Sequence, residues 1–135
     1  MIQKFEFPPN YDKIAKVFDI EGKPVVFTYG NTLYNPLKGG IPNHLWIHEE
    51  THTRQQNDNP DAWWDEYLTN PAFRLKQEVE AYHNQYVFFK KNCKDRNQVA
   101  KFLHKISSDL SSEIYGNLCS QSFAKQLIQT GTYDL

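Results

Sequence analysis

At 135 residues the chain has room for one domain and hardly more, and 39% hydrophobic with 15% aromatic residues excludes a disordered chain or a fibrous repeat. Fifteen Lys and Arg against sixteen Asp and Glu leave a formal charge of −1, so composition makes no electrostatic case for nucleic acid. No apolar run approaches the roughly 18 to 20 residues that span a bilayer, and Met1-Ile2-Gln3-Lys4-Phe5-Glu6 holds no apolar stretch of a secretion signal, so a cytoplasmic protein without a membrane partner is expected.

In chain order, a short helix is expected over 11–18 after Pro8-Pro9-Asn10, with Ile14, Val17 and Phe18 on one face. Pro24 to Tyr29 and Thr32 to Tyr34 read as strands. The Gly30-Asn31 pair between them suits a two-residue hairpin turn, because glycine reaches positive φ. Pro42 opens a helix to about Gln56, which Asn57-Asp58-Asn59-Pro60 stops. A short helix follows over 61–68 with Trp63, Trp64, Tyr67 and Leu68, the two tryptophans expected as a cap over the core, with the alternative that one lines a pocket. Asn70 then caps a long helix over 71–91 with Pro71 at its first position. Two more helices are expected over 95–110 and 120–129, separated by Tyr115-Gly116-Asn117. Residues 1–135 thus read as a single α+β domain, a small antiparallel sheet followed by a helical majority. Cys93 and Cys119 lack ligand or disulfide spacing.

Within the first long helix, residues 48–52 read His48-Glu49-Glu50-Thr51-His52, an H-E-x-x-H motif. Residues four apart on a helix lie about 40° apart around its axis, so both imidazoles point at one ion. Glu49 lies about 60° beyond His52 on the same side, within reach of a water at that ion, whereas Glu50 points to solvent. The spacing suits zinc, with the glutamate as the base that takes a proton from the attacking water.

Two histidines do not complete a catalytic zinc site, and a third protein ligand is expected. The long helix offers Glu78 and Glu80. Its apolar seam runs through Ala72, Leu75, Val79, Tyr82, Tyr86 and Phe89. On a helical wheel Glu78 sits about 70° from the centre of that seam and Glu80 about 130° away. Glu78 is therefore the expected ligand, and Glu80 is expected to face water. An alternative for Glu78 is an ordinary i,i+4 pairing with Arg74.

His48-Glu49-Glu50-Thr51-His52 followed by Glu78-Val79-Glu80-Ala81-Tyr82 resembles the gluzincin branch of the zincin metallopeptidases. The stretches Ile47 to Gln56, Trp63-Trp64 and Phe73-Arg74-Leu75 to Tyr86 are also similar to small metallopeptidase-like proteins encoded by phages and prophages, and Tyr115-Gly116-Asn117 is weakly similar to the same proteins. The resemblance implies a zincin-like fold, with a strand upstream of the active helix as one wall of the cleft. It also implies a peptide or protein substrate, in a host cytoplasm or in association with a virion. The position four residues after Glu78, acidic in many gluzincins, holds Tyr82.

Around this set, Tyr82 and Tyr34 are possible hydrogen-bond donors to the oxyanion, although with eight tyrosines in the chain core packing is the expected role for any single one. His83 is a further candidate for that role or for metal binding. It lies about 140° from Glu78, so both cannot easily face one metal, and a surface histidine is the expectation. Gln55 falls near the histidine face as a partner for a ligand, Gln56 is expected in solvent, and His44 is expected at the helix start, with the alternative that it extends the histidine cluster. The strand Thr32 to Tyr34 is expected to edge the cleft and to bind substrate backbone by strand addition. The expected activity is zinc-dependent hydrolysis of an amide bond. The alternative is a non-catalytic binding or phage-assembly module on the same scaffold.

Overall fold

The computed structural model describes residues 1–131. The elements are β1 (Ile2–Lys4), α1 (Tyr11–Val17), β2 (Phe27–Tyr29), β3 (Thr32–Tyr34), α2 (Asn43–Gln56), α3 (Pro60–Thr69), α4 (Pro71–Asn92), α5 (Arg96–Leu110), a 3₁₀ turn at Glu113–Tyr115, and α6 (Gln121–Thr130). Helix ends follow the local chemistry. Asn57 closes α2 in the left-handed conformation at φ 46°. The Asn59 and Asn70 side chains accept from the backbone N–H groups of Ala62 and Phe73 in the first turns of α3 and α4, whose Pro60 and Pro71 have no donor to satisfy. Asp95 and Ser120 cap α5 and α6 in the same way.

The α+β class is as expected, but the sheet is mixed, not antiparallel. Its order is β1-β3-β2, with β2 antiparallel to β3 through the Gly30-Asn31 turn and β1 parallel to β3 in the register Ile2↔Thr32. Gly30 takes φ +63° in that turn. β1 carries no alternating apolar pattern and was not expected from the sequence. Its pairing with β3 is extended by Asn35, which donates its backbone N–H to the Lys4 carbonyl.

Two consequences correct the expected cleft. β3, the expected edge strand, is central and hydrogen-bonded on both sides, so it has no free edge to offer a substrate. β2 is the strand beside α2, and the Thr28 carbonyl is already taken by Gln56 Nε2 at 2.8 Å and Trp64 Nε1 at 2.9 Å.

Buried apolar side chains form two clusters. One gathers α1, β2, β3 and α3 around Ile14, Phe18, Phe27, Trp63, Trp64 and Tyr67. The other packs α4 against α5 and α6 through Leu75, Val79, Tyr82, Leu103, Ile106, Leu110 and Ile128. Helix α2 lies across α4 between them. Of the expected α4 seam, Leu75, Val79, Tyr82 and Tyr86 are buried, but Ala72 is exposed and Phe89 only half-buried. No helix among the described residues is long and apolar enough to cross a membrane.

Candidate metal centre

His48 and His52 project from one face of α2 toward Glu78 on α4, and all three side chains are buried. His48 Nε2 lies 3.1 Å from Glu78 Oε1, His52 Nε2 lies 3.3 Å from the same oxygen, and the two Nε2 atoms are 3.2 Å apart. Three donors at about 2.0 to 2.1 Å from a tetrahedral ion stand about 3.3 to 3.4 Å from one another. The triangle has that size. Among the described residues this is the group of His, Cys, Asp and Glu side chains able to hold a metal ion.

Each imidazole is oriented by a glutamine. His52 Nδ1 is 2.7 Å from Gln55 Oε1, and Gln55 Nε2 donates to the Gln77 carbonyl at 2.9 Å and to Glu80 Oε1 at 2.8 Å. Because both of those partners only accept, the amide presents its oxygen to His52, and Nδ1 must carry the proton. His48 Nδ1 likewise faces Gln85 Oε1 at 2.8 Å, while Gln85 Nε2 contacts His44 Nδ1 at 2.9 Å. In the neutral tautomers both Nε2 lone pairs therefore converge on a carboxylate oxygen, an arrangement that needs a cation.

Without a metal, a proton serves. Burial pulls the His52 pKa down, but the Glu78 charge and hydrogen bond, with the Glu49 charge and Gln55, outweigh it and raise it to about 9. Burial likewise opposes the charge on Glu78, yet the two histidines hold its carboxyl well below the usual range. The other Glu78 oxygen accepts the Tyr67 hydroxyl at 2.6 Å, which leaves Oε1 to the histidines.

Glu49 is buried one residue past His48, and the Thr28 hydroxyl of β2 donates to its Oε2 at 2.6 Å. It lines the same pocket as His48, His52 and Glu78. This pocket of about 80 Å³ is walled by apolar side chains that include Phe18, Ile20, Val25, Phe27 and Trp64. A carboxylate beside the donor triangle and a dry wall are the parts that metal-assisted proton transfer requires.

The remaining expected residues divide sharply. Tyr82 sets its ring edge-on against His48, centroids 4.4 Å apart, and its hydroxyl bonds Tyr115 Oη at 2.7 Å. Gln55 takes its expected place beside His52. Tyr34 belongs to the apolar cluster around α1 and α3 and does not line the pocket. His83 turns away, with Nδ1 bonding the Ile128 carbonyl at 2.7 Å, so it ties α6 to α4. Gln56, expected in solvent, is buried and bridges the hairpin, accepting from Gly30 N–H at 2.7 Å. Arg74 makes no ion pair with Glu78. Its guanidinium donates to the carbonyls of Tyr67 and Tyr115 at 3.0 and 3.1 Å. Glu80 is exposed as expected.

Gln85, Tyr67, Thr28 and the pocket-lining role of Tyr115 were missed. Gln85 had one available signal, its place seven residues after Glu78, two helical turns along the same face. Thr28 and Tyr115 reach the site from distant segments, which spacing along the chain does not reveal. In comparisons with known proteins, no protein-family model, curated protein or solved structure matches the chain.

Proposed function

We propose that the chain is a zinc-dependent hydrolase, a metallopeptidase on a zincin-like scaffold that cleaves an amide bond in a peptide or protein. The observation that carries this reading is the convergence of two imidazole Nε2 atoms and one carboxylate oxygen at 3.1 to 3.3 Å, with a second acid, Glu49, beside them. Two nitrogen donors and one oxygen donor suit zinc, and a three-ligand protein site leaves a position open for reaction.

Bound zinc supplies Lewis acidity, which makes water acidic enough to attack near neutral pH and draws electron density from a carbonyl. Glu49 accepts the proton of the attacking water and delivers it to the departing amine. The Thr28 hydroxyl holds one carboxylate oxygen, so the other is presented to the water. The Tyr82–Tyr115 hydroxyl pair offers a neutral donor to the oxygen that gains charge. Burial first, then the nearby Glu78 charge, raise both phenol pKa values well above 10, so they keep their protons.

Measuring zinc in the purified protein, then hydrolysis of a peptide library with and without chelator, tests the reading. Glu49→Gln should retain zinc and lose about 10²- to 10⁴-fold in rate, because the amide keeps the shape but cannot take the proton. Full activity in Glu49→Gln would remove the base from this residue. Zinc without hydrolysis of any peptide would leave the non-catalytic module, and no metal affinity at all would remove both readings.

A further inference from the structure

The near-neutral total charge conceals a strong asymmetry. Residues 1–89 hold eight Lys and Arg against twelve Asp and Glu, whereas residues 90–130 hold seven against three. Two of those three acids are engaged. Asp95 caps α5 through the N–H groups of Asn97 and Gln98, and Asp109 pairs with Lys105 at 2.9 Å.

The excess cations surround a second cavity. A groove of about 420 Å³ opens between the end of α4, the start of α5 and α6, lined by Lys90, Lys94, Arg96 and Lys125 and by no acidic residue. None of these four cations pairs with a carboxylate among the described residues. The floor is apolar, built from Tyr86, Val99 and Leu103, and Lys90 Nζ sits 5.9 Å from the centroid of the Tyr86 ring. Lys90 lies twelve residues beyond Glu78 on one helix, about 18 Å along its axis, and the groove shares no lining residue with the pocket at the metal centre.

We propose that this groove binds a short acidic peptide segment that carries an apolar side chain. Four unpaired cations around one concavity favour carboxylates at each end of such a segment, and the floor gives its apolar side chain a place out of water. A long polyanion fits less well. Outside the groove the chain bears an excess of acid that repels it, and the single aromatic ring of the floor is buried instead of being exposed for base stacking. At physiological ionic strength the Debye length is about 8 Å, so the cations act on what lies within the groove itself. The proposal does not depend on the metal centre or on catalysis.

The test is fluorescence anisotropy of the full chain with a fluorescein-labelled ten-residue peptide of glutamates around one central leucine. Saturable, salt-sensitive binding is expected, weakened about tenfold or more by Lys94→Glu combined with Lys125→Glu and about threefold by Arg96→Gln. Lys101→Glu, exposed but outside the groove, should change affinity less than about twofold. Serine in place of the peptide's leucine should cost several-fold. All substituted positions are exposed, and a thermal melt of each variant verifies the fold. Absence of binding, an equal loss with Lys101→Glu, or indifference to the leucine would each overturn the proposal. So would tighter binding of a single-stranded oligonucleotide or of inorganic triphosphate.

Discussion

Glu78 and Glu80 are two residues apart in the string and about 200° apart on the helix, and that rotation separates a buried carboxylate beside His48 and His52 from a solvent-facing acid. Glu78→Ala should lower zinc affinity by orders of magnitude, since it removes one of three protein ligands. Glu80→Ala should change it little, because the lost contact is an exposed one to Gln55 and the Gln77 carbonyl still holds that amide. Zinc titration calorimetry on both variants decides the matter, and a reversed order would rotate α4. Protonation gives an independent check on the same cluster. With His52 at about 9, the metal-free protein carries a proton there at neutral pH, which zinc must displace. About one proton should be released per ion at pH 7, and apparent affinity should climb about tenfold per pH unit until pH approaches 9. Calorimetry in buffers of different ionisation enthalpy measures this. The stability linkage of the metal-free chain has two opposite limbs. The raised His52 pKa stabilises fully below about 6.5 and is lost as pH rises through 9, whereas the depressed Glu78 pKa stabilises above about 4.5 and is lost as pH falls. Their joint contribution peaks between those ordinary values.

Helix α4 shows why some elements were legible and others were not. Its seam of Leu75, Val79, Tyr82 and Tyr86 is readable because apolar residues recur at three- and four-residue intervals. A second buried stripe, Arg74, Glu78, Ala81 and Gln85, has the same spacing and brings Glu78 and Gln85 against the α2 histidines, yet three of its four members are polar. Hydrophobic periodicity is blind to it, which is why Arg74 read as a surface partner and Gln85 went unnoticed. The hairpin and the helix limits were legible because glycine, proline and capping asparagines act locally. β1 was not, since a three-residue parallel partner is selected by tertiary contact alone. Arg74 also yields an element-level prediction. Its guanidinium joins the end of α3 to the 3₁₀ turn, and it lies 4.9 Å from the centroid of the Phe18 ring. Arg74→Met should keep most of the packing but leave two carbonyls without their donor, at a cost of about 1 to 3 kcal/mol each when desolvated. A lower urea midpoint with unchanged slope would show it; an unchanged midpoint would mean that water replaces the guanidinium.

At the scale of the whole molecule, the donor triangle lies where α2 crosses α4, between two apolar clusters that otherwise pack separately. An ion held there by residues of both helices stabilises the folded state by mass action, about 4 kcal/mol at a free concentration a thousand times its dissociation constant. The melting temperature should therefore rise with added zinc and return with chelator, whereas Glu78→Ala should show almost no rise. A zinc-independent melt of the wild type would count against binding at this junction. The arrangement also bears on the order in which the chain leaves the ribosome. All three donors are present once residue 78 has been made, but the helices that pack against Leu75 and Val79, and the carbonyl of Tyr115 that holds Arg74, come from residues 96 to 130. The nascent chain thus owns its ligands well before it owns their geometry. Under the proposed function, metal capture at the finished site is expected to be a late event of synthesis, set by the arrival of the C-terminal helices.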